Sequence, residues 1–154
     1  MALLGRAGSS PTPGATNQRA NPMKILFVCS GNAHRSPLAE ALLKKLRPDL
    51  TVDSAGIHVS IPIAHEVHAY LTSKNAEQYL KPLPETLASK QPENYDKIIA
   101  MQQRHKIAVT IISPSCEDKT TVWNIEDPYS MTPEDAKEIY RQIEEKVKQL
   151  AKTL

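Results

Sequence analysis

Lys24-Ile25-Leu26-Phe27-Val28-Cys29-Ser30-Gly31-Asn32-Ala33-His34-Arg35-Ser36-Pro37 is the stretch on which the fold turns. It opens as a short continuous apolar run ending at Cys29, which suits a strand buried on both faces. Ser30 to Arg35 is polar and turn-forming, and Gly31-Asn32 supplies two residues that tolerate positive φ. Ser36-Pro37 reads as a helix start, with Ser at the N-cap and Pro at the first helical position. Leu38, Leu42, Leu43 and Leu46 then give an apolar face, and Arg47-Pro48-Asp49 stops the helix. Strand, tight polar loop, helix is the unit from which α/β folds with parallel sheets are built.

Downstream the pattern continues. Residues 50–54 predict a second short strand ended by Ala55-Gly56, and Pro62 opens a helix carrying Ile63, Val67, Tyr70 and Leu71. Residues 76–95 hold Pro82, Pro84 and Pro92 and read as loop with at most one helical turn. Residues 97–101 predict a third strand, followed by a helix over 103–111 that Ser113-Pro114-Ser115 breaks. Residues 120–125, β-branched and aromatic, predict a fourth strand ending at Glu126-Asp127-Pro128-Tyr129. Thr132-Pro133-Glu134-Asp135 resembles a capping box, and Ala136, Ile139, Tyr140, Ile143, Val147 and Leu150 share one face of the last helix.

Composition excludes several classes. The 154 residues suit one domain, 23–154, with a core of its own, and no apolar run approaches the ~18 residues of a membrane span. Residues 1–22, rich in Gly, Ser, Pro, Thr and Asn, read as a disordered leader: a tag, a mis-assigned start with Met23 as the true first residue, or a weak targeting segment. The net charge of +2 resides there, in Arg6 and Arg19; from Met23 onward basic and acidic side chains balance. With aromatics at 5%, nothing points to nucleic acid, and two cysteines make no disulfide scaffold. A cytoplasmic protein with no membrane or nucleic-acid partner is expected.

The chemistry concentrates in one loop. A chain wound into a helix N-terminus turns successive N–H groups inward, a nest for a tetrahedral oxyanion. The same field favours thiolate over thiol and activates Cys29 as a nucleophile. Arg35, six positions on, offers a planar fork for two phosphate oxygens. Ser36 can donate to the thiolate or cap the helix, and both uses stay open.

At this point the sequence closely resembles the low-molecular-weight protein tyrosine phosphatases. The resemblance rests on Val28 to Pro37, on Ser54-Ala55-Gly56, on the stretch from Asp96 to Met101, and on Asp127-Pro128-Tyr129. It implies a three-layer α/β fold: a four-stranded parallel sheet, helices on both faces, and the phosphate-binding loop after the first strand. It also implies a metal-independent phosphomonoesterase without cofactor that works through a phosphocysteine. Its substrate would be a phosphotyrosine protein or a small aryl phosphate, and its product inorganic phosphate. Cys29 would attack phosphorus; Arg35 and the loop of Ser30, Gly31, Asn32, Ala33, His34 and Ser36 would hold the oxygens. Asp127 would protonate the leaving phenolate and then deprotonate water. Asn32 would hold the loop in a left-handed conformation, and Tyr129 would wall the cleft.

This chain departs from the family pattern in places. Many relatives carry a second Cys where His34 stands, so a protective disulfide within the loop is not expected; His34 reads as a solvated loop residue. Relatives preferring phosphotyrosine often carry Ile at position 33 and phosphoarginine-specific ones Thr, and Ala33 matches neither. Ile57-His58-Val59 offers no aromatic ring to sandwich a substrate, where relatives commonly do. Other readings are an arsenate reductase on the same fold, a phosphoarginine phosphatase, and a catalytically silent phosphate-binding module. The arsenate relay needs two further cysteines, and only Cys116 remains, read as an incidental loop thiol. His65-Glu66-Val67-His68 is one residue short of a zinc motif and reads as a helix surface pair.

Overall fold

The computed structural model describes residues 21–154, so the leader of residues 1–22, apart from Asn21 and Pro22, lies outside the described residues. Four strands form one parallel sheet: β1 (Lys24–Cys29), β2 (Thr51–Gly56), β3 (Lys97–Ala100) and β4 (Thr120–Val122), in the order β2-β1-β3-β4. Four helices connect and cover them: α1 (Arg35–Leu46), α2 (His65–Ser73), α3 (Gln103–Ile112) and α4 (Pro133–Thr153). β1 alternates between two cores. Ile25 and Phe27 pack with α1, α2 and α4; Leu26 and Val28 face Ala55, Leu87, Tyr95, Val109 and Cys116. That is why this strand reads as unbroken apolar sequence.

The chain leaves β1 for β2 on one side and then crosses to β3 on the other. The crevice where the strand order reverses opens at the carboxyl end of β1, the usual ligand position in open parallel sheets. The loop between β1 and α1 fills that crevice.

Several boundaries differ from the sequence expectation. The helix α1 begins at Arg35, with His34 at the N-cap and no side-chain cap. Ser36 lies inside the first turn because its hydroxyl engages Cys29 and Asn32 instead. Every α1 residue from Arg35 to Leu43 is buried, since the helix is enclosed by the sheet, α2 and α4, whereas Leu46 at its end is exposed. β2 runs on through Ala55-Gly56, and β4 stops at Val122. The expected loop of residues 76–95 contains three single 3₁₀ turns, and a fourth spans Pro114–Lys119. Cys116 sits in that turn, wholly buried, its thiol 3.3 Å from Ser113 Oγ, so it is a core residue and not a loop thiol. At α4, Thr132 Oγ1 accepts from the Asp135 amide at 3.2 Å, as the capping pattern predicts.

Candidate active site

Cys29 ends β1, almost wholly buried, and the next six residues fold its thiol back under the start of α1. The Asn32 amide donates to Cys29 Sγ at 3.3 Å, and Ser36 Oγ lies 2.9 Å from the same sulfur. Asn32 has φ 55°, the left-handed geometry that turns its N–H inward. Gly56 closes the back of the loop. A Cβ there would stand 2.7 Å from Asn32 N and from Gly31 C, so only glycine permits this approach.

The cavity in front of the sulfur, about 250 Å³, is lined by Cys29, Ser30, Gly31, Ala33, His34, Arg35, His58, Ser60, Ile61, Asp127 and Tyr129. Eight of these come from the residues singled out in the sequence. Asn32 and Ser36 do not line it: both are fully buried behind the loop, where they bond the sulfur. Tyr129 is exposed and forms one wall, its ring edge-on to His34 with centroids 6.3 Å apart. His34 is thus half-buried rather than solvated, and burial lowers its pKa against the opposing pull of Asp127 and Glu66. His58, Ser60 and Ile61 also line the cavity, from the segment after β2 that was not singled out as part of the site.

Arg35 is 1% exposed, and its fork is aimed by several partners. Nη1 donates to Gln102 Oε1 at 2.7 Å and to the Ile125 carbonyl at 2.8 Å. Nη2 donates to Ser30 Oγ at 3.2 Å and lies 3.4 Å from Asp127 Oδ2. Burial draws the guanidinium pKa down, while Cys29 and Asp127 oppose the shift. Asp127 Oδ1 accepts from the Tyr129 amide at 3.1 Å, which fixes the carboxylate at the cavity rim.

A second tier escaped the sequence reading. His105 is fully buried; its Nδ1 accepts from the Gln102 amide at 3.0 Å, so Nε2–H donates to Ser30 Oγ at 2.9 Å. Its pKa falls to about 4, chiefly through burial and then through Arg35 and Arg104. Arg104 Nη2 donates to the same hydroxyl at 2.9 Å. The available signal was positional: Gln102 to His105 follow β3, at the ligand-binding edge of the sheet. Among the described residues no cluster of three His, Cys, Asp or Glu side chains could hold a metal, and His65 and His68 are exposed on α2.

Residues 24–154 match the family model described as low molecular weight phosphotyrosine protein phosphatase. The chain belongs to this family. A family member from Escherichia coli K12, the low molecular weight protein-tyrosine-phosphatase Etp, is 33% identical over 84% of this chain and 93% of its own length. A protein-arginine-phosphatase from Geobacillus stearothermophilus is 34% identical over 64% of this chain and 68% of its own. Among solved structures, Vibrio vulnificus Wzb in complex with benzylphosphonate superposes with a TM-score of 0.78 at 31% identity, covering 87% of this chain and all of that one. The α/β architecture of the family, with the loop after the first strand, is the one seen here.

Proposed function

We propose that this phosphatase hydrolyses phosphotyrosine in proteins, and aryl phosphates generally, through a phosphocysteine at Cys29. The observation that carries the reading is the convergence on one cavity of a sulfur held by Ser36 and the Asn32 amide, the Arg35 fork, and the Asp127 carboxylate. Sulfur attacks phosphorus as the aryl oxygen departs, and Asp127 delivers its proton to that oxygen. Arg35 and the loop amides hold the equatorial oxygens, where charge stabilisation supplies most of the catalysis. Asp127 then takes a proton from water, which displaces the sulfur and releases inorganic phosphate. No step needs a metal or cofactor, so full activity in EDTA is expected. Domain 23–154 carries all these groups, and no helix among the described residues is long and apolar enough to cross a membrane. A cytoplasmic setting, where thiols stay reduced, suits two free cysteines.

Tyr129 favours an aryl ring, since an exposed aromatic wall beside the sulfur gives it a stacking partner. A phosphoarginine side chain is the second reading, favoured by the arginine-phosphatase relative, while Ala33 in the loop matches neither substrate pattern. An arsenate relay finds no support in Cys116, which is sealed in the core. Turnover of phosphotyrosine, phosphoserine and phosphoarginine peptides side by side tests the assignment: the tyrosine peptide should lead in kcat/KM. A leading phosphoarginine peptide would reverse the two readings, and no turnover of any would leave a phosphate-binding module.

A further inference from the structure

Lys81 is buried behind the phosphate loop, in a proline-bounded segment that no catalytic step above uses. Its Nζ donates to Asn32 Oδ1 at 2.9 Å, to the Ser54 carbonyl at 2.8 Å and to Ser54 Oγ at 3.3 Å. It also pairs with Glu85 at 2.7 Å. The Glu85 amide donates to the same Asn32 oxygen at 2.8 Å. Two obligate donors on that atom fix it as the oxygen, so the amide nitrogen must face the other way. There Asn32 Nδ2 donates to Ser36 Oγ at 2.8 Å and to Ser54 Oγ at 2.9 Å. Having accepted that bond, Ser36 has one proton left, and Cys29 Sγ at 2.9 Å is much closer than the Ala55 carbonyl at 3.5 Å. One donor from each of Lys81, Asn32 and Ser36 therefore forms a relay that runs toward the sulfur.

We infer that Lys81 is a positioning residue that polarises this relay and stabilises the Cys29 sulfur as a leaving group. The inference rests on the phosphocysteine reading. In the second step water attacks phosphorus, Asp127 takes the water proton, the P–S bond breaks, and its electron pair stays on sulfur. The Ser36 hydroxyl meets that developing charge, and a cation at the far end of the relay strengthens its bond cooperatively. The Lys81 side chain is 6% exposed whereas Glu85 is 45% exposed, so water screens the carboxylate more than the ammonium. The other carboxylate nearby, Glu40, accepts from Ser54 Oγ at 2.5 Å and is itself paired with Lys44.

Pre-steady-state hydrolysis of 4-nitrophenyl phosphate separates the steps: the nitrophenolate burst reports phosphorylation of Cys29, and the linear phase its dephosphorylation. In Lys81→Met the linear phase should fall about tenfold, the scale of one weakened charge-assisted bond, with the burst rate within about threefold. In an Asn32→Gly background, which keeps the positive φ, the Lys81→Met change should alter the linear phase less than about twofold. Equal loss of both phases, or an undiminished tenfold effect without the Asn32 side chain, overturns the inference. If Lys81→Met does not fold, Lys81→Gln decides: a linear phase slowed about threefold or more supports the inference, and an unchanged one overturns it. A wild type with neither a burst nor phosphate trapped on Cys29 overturns the phosphocysteine reading, and this inference with it.

Discussion

Arg35 Nη2 and Asp127 Oδ2 stand 3.4 Å apart, one at the start of α1 and the other in the loop beyond β4. The contact ties the anion-binding fork to the proposed acid across the sheet edge. On the proposed mechanism, a phosphate dianion on the loop would compete for the same guanidinium and so would loosen Asp127 from Arg35 when the leaving oxygen needs the carboxyl. Removing the acid should therefore cost most where the leaving group is basic. Asp127→Ala should slow phenyl phosphate by about 10²–10⁴-fold. 4-Nitrophenyl phosphate, whose leaving group needs little protonation, should lose clearly less. Equal losses across a series of leaving groups would remove Asp127 from the role.

Arg35 should tolerate no conservative replacement. Lysine keeps the charge but cannot reach Gln102, the Ile125 carbonyl and a phosphate oxygen at once, as the planar fork does. Arg35→Lys should lower kcat/KM by about 10²–10³-fold, the usual cost of removing oxyanion donors. Steady-state kinetics and orthophosphate inhibition together check this, because product affinity should weaken in parallel.

Much of the site was legible because its signals are local. A strand apolar on both faces, a turn with residues tolerant of positive φ and a thiol beside a helix start all lie within Lys24 to Pro37. Ser36 misled the helix boundary because a Ser-Pro pair is a good cap, and its competing bond to Cys29 exists only once the loop has closed. Lys81, Glu85 and His105 were illegible for a different reason. Charged or titratable residues among prolines or on a short helix look solvent-facing, and only the tertiary fold carries them behind the loop. Ser54-Ala55-Gly56 lay between these cases: its spacing was visible, but the close approach that requires glycine was not.

Gly56→Ala tests that approach directly. The added methyl would meet loop backbone, which has no rotamer to yield, so the loop must shift. Overpacking of this kind costs about 1–3 kcal/mol. Thermal unfolding should show that loss, and the orthophosphate inhibition constant should rise by more than tenfold as the nest distorts. A variant that binds orthophosphate normally would show that the loop does not depend on the close packing.

Acid should destabilise the fold through His105. Its pKa is about 4 when folded against 6.5 for the free side chain, so between these values the unfolded chain binds more protons. Stability contributed by the neutral imidazole is therefore complete above about pH 6.5, falls as pH drops toward 4, and changes little further below that. The full span is on the order of 3 kcal/mol. The structural cause is specific: a proton on Nδ1 would confront the Gln102 amide, donor against donor, and break the cap of α3. Thermal unfolding from pH 4 to 7.5 should show this slope in the wild type. His105→Gln should flatten it while lowering stability at neutral pH. An unchanged slope in that variant would place the acid sensitivity elsewhere.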